Sequence, residues 1–219
     1  KIINKKFIDY VRSEDKRILV RFESAIQELE NLTEKRIINK NDQNKSIEYI
    51  NIKHFLERYI NATKFKFLDL SNGLVSCINS GSFSGALVIS RTILENVSML
   101  DLKTSKFTKF LNNRDYIKLL HEVLKLNVKS QNTYRVKDYT RTHVNDALRH
   151  YNENIGKGSD IFKIYNPISE RVHPSPSSFM MYLKSKNIKE DKYQTSFSHN
   201  SEEIQTLIFG VLAMTLTYM

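Results

Sequence analysis

The sequence is short of the residues that break, bridge or anchor a chain. Of 219 residues, six are glycine and three are proline. That is too few for a turn-rich β architecture and fits long helices. The single cysteine, Cys77, excludes a disulfide within the chain and a cysteine-rich metal site, and fits a reducing compartment. It reads as a small core residue rather than a nucleophile. No apolar run reaches the roughly 18 residues of a membrane span. The stretch from Ile204 to Met219 lacks charge but is broken by Gln205, Thr206, Thr215 and Thr217, and reads as a buried terminal helix. No charged-then-apolar leader opens the chain, so a cytoplasmic protein without membrane contact is expected. A glycine-rich phosphate loop, an H-E-x-x-H helix and any carboxylate or His/Cys cluster with metal spacing are also missing. Neither a metal nor another cofactor is therefore expected.

Charge, too, is missing locally. The chain is 26% charged, yet residues 70–100 hold only Arg91 and Glu95 where about eight charges would be expected. The segment from Ala86 to Leu100 is apolar nearly all round, which predicts a buried helix. Arg91 and Glu95 lie four residues apart, on one helix face, where they can pair. A buried pair needs further hydrogen-bond partners, so it is either an internal staple or the floor of a site. Elsewhere charge is plentiful, with a net +10. The excess lies in residues 1–70 (net +4) and 101–165 (net +6), while residues 166–219 are balanced. A solvated basic face and a surface for phosphate backbones both remain open.

Apolar periodicity predicts a first helix over about 5–32, with Phe7, Val11, Ile18, Val20, Phe22, Ile26 and Leu29 inward. A polar loop follows at 39–46. A second helix is expected over about 47–70, with Ile50, Phe55, Leu56, Tyr59 and Ile60 inward. Asn72-Gly73 can be tolerated inside a helix, whereas Ser80-Gly81-Ser82 should end one, with Ser82 or Ser84 capping the next. Further helices are expected over about 114–126, 142–154, 161–170 and from Ser201 onward. Residues 185–200 read as polar and no strand alternation stands out. The expectation is a single all-α domain over 1–219, a bundle of six to eight helices.

Tyr165-Asn166-Pro167-Ile168-Ser169-Glu170-Arg171-Val172-His173-Pro174 is the second informative segment. Pro174 and Pro176 force an extended chain, so the helix should end at Val172 or His173. His173 then sits at a helix C-terminus, either as a simple cap or as a proton-handling group. Ser169 lies within the helix with no strained turn to expose it, which argues against a nucleophilic serine.

The pairing of R-x-x-x-E, from Arg91 to Glu95, with Y-x-x-I-S-E-x-x-H-P, from Tyr165 to Pro174, resembles the DUF5677-like bacterial helical proteins. These in turn resemble HEPN and abortive-infection domains. The resemblance spans about residues 80–185. It implies a HEPN-like bundle in which Arg91, Glu95, Ser169 and His173 converge on one helix-lined cleft. It also implies an RNA-binding protein, a metal-independent endoribonuclease of a phage-defence or toxin system, working as a homodimer or with a partner of the same system. HEPN ribonucleases carry Arg and then His with four to six residues between them. Here Arg114 and His121 have that spacing, with six residues between them, which would place both on one face of a helix with Ile117, Leu120 and Leu124 inward. His173 and His121 thus compete as general acid or base toward a ribose 2′-hydroxyl, with Arg91, Arg114 or Arg171 facing the phosphate and Glu95 beside them. The run from Tyr134 to His143 interleaves aromatics with cations. Arg135, Lys137, Tyr139 and Arg141, followed by Arg149, are its candidate RNA contacts. The competing reading is a non-catalytic interaction or regulatory subunit, with Arg91, Glu95 and His173 as a structural network.

Overall fold

The computed structural model describes residues 3, 13–32, 46–127, 143–155, 160–173, 183–187, 192–195 and 202–218. Among these the chain is all-α: seven helices and one short hairpin. They are α1 (Ser13–Asn31), α2 (Ile47–Ser80), α3 (Phe83–Asn112), α4 (Tyr116–Asn127), α5 (Val144–Asn154), α6 (Phe162–Val172) and α7 (Glu202–Tyr218). The antiparallel pair β1 (Leu183–Asn187) and β2 (Lys192–Thr195) precedes α7, in a region whose sequence shows no strand alternation.

The uncharged stretch forms the centre. α3 packs against α2, α4, α5, α6 and α7, while α1 covers α2 and α7. Ala86, Leu87, Ile93, Leu94 and Val97 of α3 are each 2% exposed or less. They share one core with Phe22 and Ile26 of α1, Leu74 of α2, Leu148 of α5, Ile168 of α6 and Ile208, Val211 and Leu212 of α7. Each of these side chains larger than alanine contributes about 1.5–3 kcal/mol of burial. A smaller cluster of Ile52, Leu119 and Val123, flanked by Phe107 and Phe110, docks α4 on α2 and α3. No helix is long and apolar enough to cross a membrane among the described residues.

α2 runs unbroken through Asn72-Gly73 and stops at Ser80. Gly81 takes the left-handed conformation (φ 73°) that glycine enters most readily. Its N–H donates to the Ile78 carbonyl and that of Ser82 to the Cys77 carbonyl, closing a Schellman turn. Ser82 occupies the N-cap of α3, but its side chain makes no capping bond. The tight turn presses α2 on α3: a Cβ added at Gly85 would lie 2.9 Å from Cys77 Sγ.

One predicted stripe is rotated and another departs at a single position. In α1, Phe22 and Ile26 are buried and Ile18 and Leu29 pack against the core as expected, but Val20 is 62% exposed and Leu19 is inward in its place. Ile117 is 72% exposed, and α4 is centred on Leu119 and Val123. On α2 Ile60 stays exposed as well, while Ile52, Phe55 and Leu56 pack against α3 and α4.

Candidate functional site

Arg91 and Glu95 lie on the α3 face toward α6. Arg91 Nε donates to Glu95 Oε1 at 2.8 Å, and the two side chains retain 21% and 24% of their exposure. Across the seam, the Tyr165 hydroxyl donates to the same Glu95 oxygen at 2.8 Å and accepts from Arg91 Nη2 at 3.3 Å. The guanidinium carbon stands 5.5 Å from the Tyr165 ring centroid. Arg91 Nη1 reaches Nε2 of His173 at 2.9 Å. Arginine can only donate, so Nε2 is the acceptor.

The helix ends where Pro174 requires. α6 closes at Val172, and His173 is its extended C-cap (φ −79°, ψ 150°), its N–H donating to the Ser169 carbonyl. The imidazole is exposed while Tyr165, eight residues earlier, is 8% exposed. Three of the four residues implied by the resemblance, Arg91, Glu95 and His173, therefore meet. Ser169 contributes its carbonyl to the cap rather than its hydroxyl to the cluster. Tyr165 joins in its place. The sequence signal for it was present, since the tyrosine opens the second motif and stands two helical turns before His173.

Burial pushes the Tyr165 phenol up, and the Glu95 carboxylate that accepts its proton pushes it further, so the hydroxyl stays a donor. At Arg91, burial opposes the charge, but the bonds to Glu95 and Tyr165 and the Glu95 charge outweigh it and the pKa rises. Three of the five guanidinium N–H groups are engaged, which leaves one on Nη1 and one on Nη2 without a partner among the described residues.

The other candidates fall elsewhere. Arg114 and His121 do not share a helix face. Arg114 sits in the turn before α4 with a left-handed backbone (φ 54°), exposed, and only His121 is on the helix, also exposed. The reason is local. Asp115 accepts from the Lys118 backbone N–H at 3.2 Å and so caps α4, which starts at Tyr116, two residues after Arg114. Lys118, through its side chain and this backbone bond, holds the Asp115 carboxyl below the usual carboxylate range. Arg171 turns back to the Pro167 carbonyl at 3.2 Å. Arg149 is exposed on α5, 3.8 Å from Asp146. Arg135, Lys137, Tyr139 and Arg141 lie outside the described residues.

Two further polar clusters were not anticipated. Lys103 of α3 and Glu122 of α4 form a buried ion pair at 3.0 Å. Asp101 of α3 accepts from Asn154 at 2.8 Å and stands 3.6 Å from His150, both on α5. Among the described residues no group of three or more His, Cys, Asp or Glu is placed to hold a metal ion. Comparison with family models, with curated proteins and with solved structures finds no match.

Proposed function

We propose that the chain is an RNA-binding domain of the HEPN-like kind that cleaves RNA without a metal, with His173 and Arg91 as its working pair. The observation that carries this reading is the 2.9 Å contact between Arg91 Nη1 and Nε2 of an exposed histidine. An imidazole lone pair beside a guanidinium with two uncommitted N–H groups is the minimum that 2′-hydroxyl chemistry needs. The ring takes the 2′-hydroxyl proton as that oxygen bonds to phosphorus, the arginine stabilises charge gathering on the phosphate, and the P–O bond to the 5′-oxygen breaks, with that oxygen taking its proton from the protonated ring or from water. A phosphate oxygen is a better acceptor for Arg91 than a neutral imidazole. Substrate phosphate would compete for the Nη1 donor where it stands and release Nε2, already in the tautomer that presents its lone pair, to act as base. Glu95 holds the arginine from behind. The net charge of +10 favours a polyanionic partner. A cytoplasmic role in phage defence or as a toxin, with a second copy of the chain or a companion protein, follows from the family resemblance.

One observation favours a second reading. Arg91, Glu95, Tyr165 and His173 bond one another in a closed set, as expected of a clasp between α3 and α6 in a non-catalytic regulatory subunit. A mixed RNA pool incubated with wild type, His173→Ala and His121→Ala separates the two. The catalytic reading expects cleavage by wild type and His121→Ala and none by His173→Ala. No cleavage by wild type favours the clasp.

A further inference from the structure

We infer that Tyr165 is a positioning residue that aims the Arg91 guanidinium at His173 and so sets which ring nitrogen of His173 carries the proton. The inference rests on the assignment of His173 as the proton-handling group, and extends it to a residue that touches no substrate.

A guanidinium is planar, so fixing two of its nitrogens fixes the third. Nε is held by Glu95 at 2.8 Å and Nη2 by the Tyr165 hydroxyl at 3.3 Å. The same hydroxyl donates to Glu95 Oε1, which closes a ring of three side chains. Nη1 is then left pointing at His173 Nε2. The two holds differ in origin. Glu95 belongs to α3 itself, one turn beyond Arg91, and carries no information about α6. Tyr165 reaches from α6, the helix whose C-cap is His173. It is therefore the bond that registers Arg91 against the element bearing the histidine. Its near-complete burial anchors it, while His173 stays exposed. Because Arg91 donates, Nε2 must present its lone pair, and a neutral ring must carry its proton on Nδ1. A histidine in water prefers the opposite tautomer, so the contact leaves a signature.

Nitrogen-resolved NMR of the histidine rings reads that signature in the whole chain, at about pH 8–9 where a free imidazole is neutral. His173 is assigned by the signal lost in His173→Gln. Wild type should show the Nδ1–H form. Tyr165→Phe keeps the ring beneath the guanidinium and removes only the hydroxyl. It should shift His173 toward the Nε2–H form, and RNA cleavage should lose about tenfold to a hundredfold in kcat with KM held. Arg91→Lys, whose amine cannot span both anchors, should shift the tautomer with Tyr165 intact and serves where Tyr165→Phe does not fold. An Nε2–H ring in wild type overturns the inference, as does an unchanged Nδ1–H ring in either variant. If wild type cleaves no RNA, the ribonuclease reading falls alone, because the tautomer comparison still decides what Tyr165 does.

Discussion

Replacing His173 with alanine removes one hydrogen bond, the 2.9 Å contact with Arg91 Nη1, from a ring that water already reaches. The net loss for such a bond is about 1 kcal/mol, because water replaces the ring as acceptor. For a chain of this size that is a fall of roughly 2–4 °C in Tm. Glu95→Ala is a different perturbation. It strands the Tyr165 hydroxyl, in a residue 8% exposed, without its acceptor. An unsatisfied buried hydroxyl costs about 1–3 kcal/mol. It also deletes an i,i+4 ion pair whose partners keep a fifth to a quarter of their exposure, worth only about 0.3–0.5 kcal/mol after solvent screening. The sum is about 1.3–3.5 kcal/mol, or roughly 3–14 °C. Thermal unfolding followed by circular dichroism measures both variants beside wild type. A His173→Ala fall as large as that of Glu95→Ala would make His173 part of the scaffold, and the proposal that it is held ready for substrate would be refuted.

Lys103 and Glu122 give a sharper energetic test, since both are buried and 3.0 Å apart. At an effective dielectric of about 20 their attraction is about 5–6 kcal/mol, most of it offset by desolvation. Lys103→Met should cost about 3–5 kcal/mol in urea unfolding and Lys103→Met/Glu122→Leu much less, because the single change removes the cation facing a buried carboxylate. A single variant within about 1 kcal/mol of wild type would show that water reaches the pair. The Tyr165 phenol is raised by burial and then by Glu95, so its folded pKa lies above the ordinary value of about 10. The associated stability is complete below about pH 10 and is lost as pH climbs through the folded value. Tyrosinate absorbance should therefore show a late-titrating phenol that Tyr165→Phe abolishes; its persistence in that variant counts against the Glu95 contact. Arg114→Gly should raise stability by about 1 kcal/mol, since only glycine occupies a left-handed turn without steric cost. It should leave RNA cleavage intact, and loss of cleavage would restore Arg114 as a phosphate ligand.

What was legible in the sequence follows the range of each signal. The charge gap around Arg91 and Glu95 reports burial directly, because an unpaired charge inside costs several kcal/mol. Proline acts on its immediate neighbour, so Pro174 placed the end of α6 and with it His173. Periodicity finds a stripe but not its centre. In α4 both Ile117/Leu120 and Leu119/Val123 fit helical spacing, and the choice belongs to Ile52 and Phe107 on other helices. The Lys103–Glu122 pair had no local signal at all. Its members are 19 residues apart on different helices, and each alone looks like an ordinary solvated charge. Tyr165 stands in the second motif, but its role is not separable by sequence from packing: an aromatic on an apolar helix face is usually core, and this one is core as well as ligand to Arg91 and Glu95.

The position of the polar clusters along α3 bears on what they do. A helix that is apolar nearly all round has no strong preference among rotations about its own axis, since each buries a similar area. Three of its seams each carry one polar cluster. Arg91 and Glu95 meet Tyr165 and His173 of α6, Asp101 meets His150 and Asn154 of α5, and Lys103 meets Glu122 of α4. A rotation of one residue would strand all three, which gives α3 a single register through groups that area alone does not discriminate. The pair with α4 is buried at both ends, and in the α5 cluster Asp101 is nearly so. Register needs nothing more than that. The α6 cluster differs at one point, because its last member is an exposed imidazole beyond the end of a helix. Burying that ring would have strengthened the bond to Arg91 by excluding water. Its exposure therefore contributes little to the packing of α3 on α6 and is what access to a substrate requires.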